Sequence, residues 1–164
     1  MSGPSIREAS ALDAEDAVRV LRASIEELCE LDHKRDPEIL GAWLSNKTPQ
    51  TFLHWLGLAD EHVIVAELDA AIVGVGSVNR NGSVHLCYVA PGFQRRGVSA
   101  ALLAALEERA LAWGLSELVL TSSETALGFY LRQGYVPTGP RELTRFGMAA
   151  YPFRKALIAT PAEP

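Results

Sequence analysis

Cysteine is scarce: Cys29 and Cys87 are the only two in 164 residues. They form no CxxC pair and are too few for a disulfide framework, so both thiols are expected to be reduced, in the cytoplasm. Long hydrophobic runs are also missing. The longest, Ala100 to Leu106, is far short of the roughly 20 residues that span a bilayer, so no membrane partner is expected. No basic start followed by an apolar stretch opens the chain, as a signal peptide would require. A basic excess is absent too: 15 Lys+Arg stand against 20 Asp+Glu, a formal net charge of −5. That balance argues against a nucleic-acid partner, which wants a basic face. The histidines at 33, 54, 62 and 85 show neither HExxH nor paired ligand spacing, so no metal is assigned.

What is present is ordinary for a globular protein, with 48% hydrophobic and 21% charged residues. That content excludes a disordered chain. The length fits one domain, residues 1–164, with a core over about 5–157 and a loose tail over 158–164. Ile6 to Ala9 reads as a short strand. A helix follows to about Glu30, capped by Ser10 or Asp13, with Val18, Leu21, Ile25 and Leu28 on one face. After a polar break at Asp32–Pro37 come two short helices, Glu38–Leu44 and Gln50–Leu58, the second capped by Thr48 with Pro49 in its first turn.

From residue 61 the texture turns β-branched. His62–Glu67 and Ala71–Val78 are predicted strands joined at Leu68-Asp69-Ala70. Asn81-Gly82 predicts a type I′ turn, so Ser83–Val89 returns antiparallel to the strand before it. Residues 98–112 carry Val98, Ala101, Leu102, Ala105 and Leu106 at helical spacing, with Gly114 placed to stop the helix. Glu117–Thr121 is a predicted strand and Glu124–Arg132 a helix ended by Gly134. A strand begins at Tyr135-Val136, and the last covers Met148–Leu157.

The informative stretch runs from Leu86 to Ser99. An apolar strand leads through Pro91 and Gly92 to Gly97, where a long helix begins. A helix's first turn exposes unpaired N–H groups and the positive end of its dipole, which attract phosphate. Gly97 permits close approach to the backbone, and Arg95 and Arg96 add charge there.

Gln94-Arg95-Arg96-Gly97-Val98-Ser99 resembles the acetyl-CoA signature of the GNAT (GCN5-related) N-acetyltransferases, Gln/Arg-x-x-Gly-x-Gly/Ala. Phe129-Tyr130-Leu131-Arg132-Gln133-Gly134-Tyr135 resembles that family's second recurring segment, Phe-Tyr-x-x-x-Gly-Phe/Tyr. The resemblance implies an α/β fold: a mixed, mostly antiparallel twisted sheet flanked by helices, with a splayed central strand pair forming the acetyl-CoA cleft. It implies an acetyl-CoA-dependent N-acetyltransferase that moves the acetyl group directly to a primary amine, of a small molecule or a protein. A homodimer is implied by family habit. A non-catalytic acyl-CoA-binding or sensing module is the alternative.

The same resemblance implies the site. Amides from about Arg95 to Ser99, including Arg96, Gly97 and Val98, would hold the pyrophosphate, with Gln94 among the coenzyme-binding residues. Cys87 and Val89 would offer main-chain groups to the pantetheine arm, the Cys87 N–H facing the thioester carbonyl as an oxyanion donor. Tyr130 would serve the departing sulfur; a tyrosine pKa of about 10 lies within roughly 1.5 units of a thiol near 8.5. Two departures are Ser99, where Gly or Ala is usual, and Ser123, where many members have an asparagine that bonds the pantetheine.

Some members carry a glutamate at the position of Ser83, and this chain has none there. A lysine-like amine is almost wholly protonated at neutral pH, at a cost near 4.6 kcal/mol at about 1.36 per unit. His85, alternating with Ser83 and Cys87 on one strand face, is the candidate proton relay. Glu67, Glu26 and Glu27 are others. The acceptor pocket is expected from Glu26, Glu27, Asp32 and His33, with Trp43 or Trp55.

Overall fold

A computed structural model describes residues 3–158; the predicted tail, Ile158 apart, lies outside them. Strand β1 (Ser5–Glu8) leads through a 3-10 turn (Ala11–Asp13) into α1 (Ala14–Leu28). The Ser10 N–H donates to Asp13 Oδ2 at 2.7 Å, and the Arg7 guanidinium grips both oxygens of the same carboxylate at 2.8 Å. That grip lowers the Asp13 pKa to about 2. The polar break contains a short helix, α2 (Glu30–His33), whose Asp32 and His33 are buried. Helices α3 (Pro37–Leu44) and α4 (Pro49–Leu56) follow, each with proline at its start. Asp36 and Thr48 cap them by accepting from backbone N–H groups of their first turns.

The sheet is built from β2 (Glu61–Leu68), β3 (Ala71–Asn79) and β4 (Val84–Val89), then β5 (Glu117–Ser122), β6 (Val136–Pro137), β7 (Glu142–Leu143) and β8 (Ala149–Ala156). Helix α5 (Val98–Ala112) precedes β5, and α6 (Leu127–Arg132) follows it. Strands β1-β2-β3-β4 form one antiparallel sheet; β5-β8-β6, with β7 also on β8, form a second. The two meet at a single parallel bridge, Ser83 to Val119. Beyond it β4 and β5 diverge, giving the mixed, splayed sheet the sequence implies.

The two faces of β2 and β3 bury different helices. Ile64 and Ala66 lie with Leu102, Leu103 and Leu106 of α5; Val63, Val65 and Val75 lie with Ala17 and Leu21 of α1 and Phe52 of α4. Full burial of each leucine is worth about 1.5–3 kcal/mol. Gly74 sets how closely α5 sits on the sheet: a Cβ there would come within 2.7 Å of Val98 Cγ1 and 2.9 Å of Leu102 Cδ1. Gly74→Ala is therefore expected to cost about 1–3 kcal/mol by overpacking, read as a lower urea midpoint with an unchanged m value.

Three local expectations are corrected. The β3–β4 connection is not a type I′ turn, because Gly82 has a positive φ (92°) and Asn81 does not. Gly82 N–H donates to Asn79 O at 2.9 Å, while Asn79 and Asn81 side-chain oxygens accept from the loop's own amides. The paired left-handed residues sit instead at Asp69 and Ala70, between β2 and β3. Helix α6 starts at Leu127, since residues 124–126 form a turn held from α2 (below). Finally, simple alternation along β4 fails at His85. Ser77 pairs with Leu86 but Val78 with Val84, so His85 is the extra residue of a β-bulge. Val84 thereby joins the cluster that also takes Cys87 and Val89.

Candidate active site

Where β4 leaves β5, a cavity of about 740 Å³ opens. It is bordered by β4, by Leu120–Ser122 of β5, by the start of α5 and by α1 and α2. Its first chemical feature is a bare strand edge. Ala90 N–H donates to Val73 O at 2.8 Å. In an antiparallel ladder the bonding edge alternates, so Tyr88 shares that edge with Ala90. The N–H and C=O groups of Cys87 and Val89 then face the gap, where no strand pairs with them.

The second feature is the α5 N-terminus. Arg95 (φ 62°) and Gly97 (φ 79°) are both left-handed, and this turns the loop sharply before Val98. Ala101 N–H to Gly97 O, 3.0 Å, is the first intrahelical bond. It leaves the N–H groups of Val98, Ser99 and Ala100 without helix partners, at the positive end of a 15-residue helix. Its two chain neighbours apart, no described protein atom lies within 4 Å of where a Gly97 Cβ would sit, so the backbone there is open to a ligand. This combination of bare edge, orphan amides and open glycine fits a phosphate-bearing thioester with a peptide-like arm.

The cavity brings together His85, Cys87, Val89, Gln94, Arg95, Gly97, Val98, Ser99, Ser123 and Tyr130. Arg96 does not border it; its guanidinium lies over the Phe93 ring at 5.3 Å. Gln94 Oε1 accepts from Gly92 N–H at 2.7 Å, so its amide shapes the loop. Ser123 Oγ accepts from Ala126 N–H at 3.2 Å, which commits it to the turn before α6.

Tyr130 is buried, with Cys87, Tyr88 and Tyr135 as neighbours. Burial above all, then these neighbours, pushes its pKa well above the usual tyrosine value. Burial likewise pushes the Cys87 thiol up to about 12. At pH 7 that leaves about one part in 10⁵ as thiolate, the form that attacks. The Cys87 sulfur lies 3.8 Å from Ser99 O, as a weak donor.

At the far end the structure chooses among the acceptor-side residues. Glu26 and Glu27 are exposed on α1, and His33 is buried; none of the three borders the cavity. His33 has a local task instead: Nε2 donates to Ile25 O at 2.9 Å and Nδ1 accepts from Arg35 N–H at 3.1 Å. Trp55 packs against Phe52, and Glu67 is paired with Arg7 at 2.7 Å. Asp32 and Trp43 do border the cavity. The Asp32 carboxylate accepts from Glu124 N–H (2.7 Å), Thr125 N–H (3.2 Å) and Thr125 Oγ1 (2.5 Å), so α2 anchors the β5–α6 loop. Ser24, Leu28, Cys29, Tyr88 and Met148 complete that end. Their spacing carries no signal, because α1 and α2 meet β4 only in the folded chain. Among the described residues, no group of three or more His, Cys, Asp or Glu could hold a metal ion, and no helix is long and apolar enough to cross a membrane.

A divided sheet whose central gap faces a helix N-terminus defines a class of coenzyme-binding α/β domain. Comparison with known proteins gives the class its family. The model of the acetyltransferase (GNAT) domain matches residues 34–157, and the chain belongs to that family. It is similar in structure to a GCN5-related N-acetyltransferase from Rhodopseudomonas palustris (28% identity, TM-score 0.85, covering 96% of this chain and 98% of that one). It also resembles the PaiA N-acetyltransferase from Thermoplasma acidophilum, solved in complex with coenzyme A (19%, TM-score 0.74, 95% and 99%). A third is YncA from Salmonella typhimurium, solved with its cofactor acetyl-CoA (19%, TM-score 0.66, 99% of both chains). No curated protein matches the sequence.

Proposed function

We propose that the chain transfers an acetyl group from acetyl-CoA directly to a primary amine, with both substrates bound together. The observation that carries this reading is the open edge of β4 beside the orphan amides of α5, in one cavity. Amides of Val98, Ser99 and Ala100 hold the pyrophosphate. Main-chain groups of Val89 and Cys87 take the place of a fifth strand's partners for the pantetheine amides. The Cys87 N–H then points at the thioester oxygen and stabilises the charge that develops there as the amine attacks. A new N–C bond forms, the C–S bond breaks, and Tyr130 donates its hydroxyl hydrogen bond to the leaving sulfur.

The raised pKa of Tyr130 alters one expectation without removing the role. In a cleft that desolvates the phenol, a thiolate is desolvated too, so both partners rise together. Tyr130 therefore keeps its proton and can donate a hydrogen bond to the expelled sulfur.

Initial-rate kinetics with acetyl-CoA and a panel of primary amines test the reading. Intersecting double-reciprocal lines, with no acetyl mass retained on the protein, are expected for direct transfer. Parallel lines with an acetylated Cys87 would overturn it. Coenzyme binding without thiol release across the panel would favour a sensing module instead.

A further inference from the structure

Direct transfer needs a proton acceptor for the amine, and the strand position where some family members place a carboxylate holds Ser83. We propose that Glu61, braced by Asn79, is the positioning residue that makes His85 the proton acceptor; this rests on the transfer reading above. Glu61 opens β2, two strands from His85, yet its Oε1 lies 2.9 Å from His85 Nδ1. Its second oxygen accepts from Asn79 Nδ2 at 3.0 Å. A carboxylate with both oxygens accepting requires Nδ1 to carry the hydrogen. That fixes the tautomer and leaves the Nε2 lone pair free to take a proton.

Burial shows that this pair is not simply a surface ion pair. The Glu61 side chain is 5% exposed, whereas the His85 ring is 50% exposed. Exposed pairs contribute little to stability, and burying a carboxylate to reach a half-exposed ring offsets even that. The bulge in β4 gives the same indication. It removes His85 from the ladder and re-aims its side chain, as bulges beside active sites do. The ring borders both the main cavity and a smaller one between β4 and β5. Among the described residues Glu61 is the ion-pair partner of His85, and the facing wall, Leu120–Ser122, carries no acid or base. Asp32, on α2, borders the same cavity with its oxygens taken by the β5–α6 loop.

The chemistry balances simply. Nε2 removes a proton from the bound ammonium, and the imidazolium so made is held by Glu61. The freed lone pair forms the bond to the acetyl carbon, and the C–S bond breaks as the sulfur leaves into the Tyr130 hydrogen bond. The new amide nitrogen gives its extra proton to that sulfur, and Nε2 returns its proton to water.

The test compares two acceptors of acetyl-CoA near neutral pH: n-butylamine, which is almost wholly protonated, and hydroxylamine, which is largely uncharged. With butylamine, His85→Gln is expected to lower kcat/KM by about 100-fold and Glu61→Gln by about 10-fold. With hydroxylamine both losses should shrink to within about threefold, because the nucleophile needs less help to lose its proton. The rise in Tm on adding coenzyme A should persist in both variants and reports an intact fold. Equal losses with the two acceptors, or none with either, would overturn the proposal, since a structural pair would not distinguish them. Wild-type protein that binds coenzyme A yet releases no thiol with either amine would overturn the transfer reading itself, and this inference with it.

Discussion

Gly97→Val is expected to weaken coenzyme A binding by about 100-fold, measured by calorimetry. The argument has two parts. At φ 79° a β-branched residue is strained, by about 1–2 kcal/mol at least. Its side chain would also project into the space from which the diphosphate must approach. The steric block, with the cost of restoring the strained loop that the free protein relaxes, reaches about 2–3 kcal/mol, or two decades of affinity. Its chain neighbours apart, no described protein atom lies within 4 Å of the added Cβ, so the fold should lose no more than the strain. Gly97→Ala should fall between the two proteins. An unchanged Kd in Gly97→Val would place the diphosphate elsewhere.

Tyr130→Phe is expected to lower kcat by about 100-fold while the KM for acetyl-CoA changes by less than about threefold. Phenylalanine keeps the packing against Phe129 and Tyr135, whose rings lie 5.2 and 5.7 Å away. What disappears is the hydroxyl proposed to donate to the leaving sulfur. The pH dependence has a definite sign. Tyr130 must be protonated to donate, so its contribution is lost only as pH rises through a pKa that burial has moved well above the ordinary value. An alkaline loss of rate near the usual tyrosine range would therefore belong to another group. Equal losses in kcat and in acetyl-CoA affinity would count against a leaving-group role.

The parts of the molecule legible in the sequence were the local ones. Strand β4, the loop after it and α5 follow from adjacent residues whose spacing, turn chemistry and apolar period agree, so their placement survives folding. Thr48 capping α4 is of the same kind. What stayed hidden was set across distance. Asp32 reads as part of a polar break, but its partners are 92 and 93 positions away, and only they make burial of that carboxylate tolerable. His33 reads as an acceptor-side residue, but its two ring nitrogens are spent on neighbouring backbone. Glu61 lay just ahead of the predicted strand and showed no reason to meet His85. The bulge that joins them depends on a register shift that alternation along one strand does not reveal.

The orphan amides of α5 and the bare edge of β4 are features of the peptide chain, common to nearly every residue type. Holding one reactant this way separates two kinds of selection. Under the transfer reading proposed above, side chains around Trp43, Tyr88 and Met148, which border the same cavity, are left at liberty to be exchanged, and the choice of second reactant can be rewritten there while the grip on the first stays as it was.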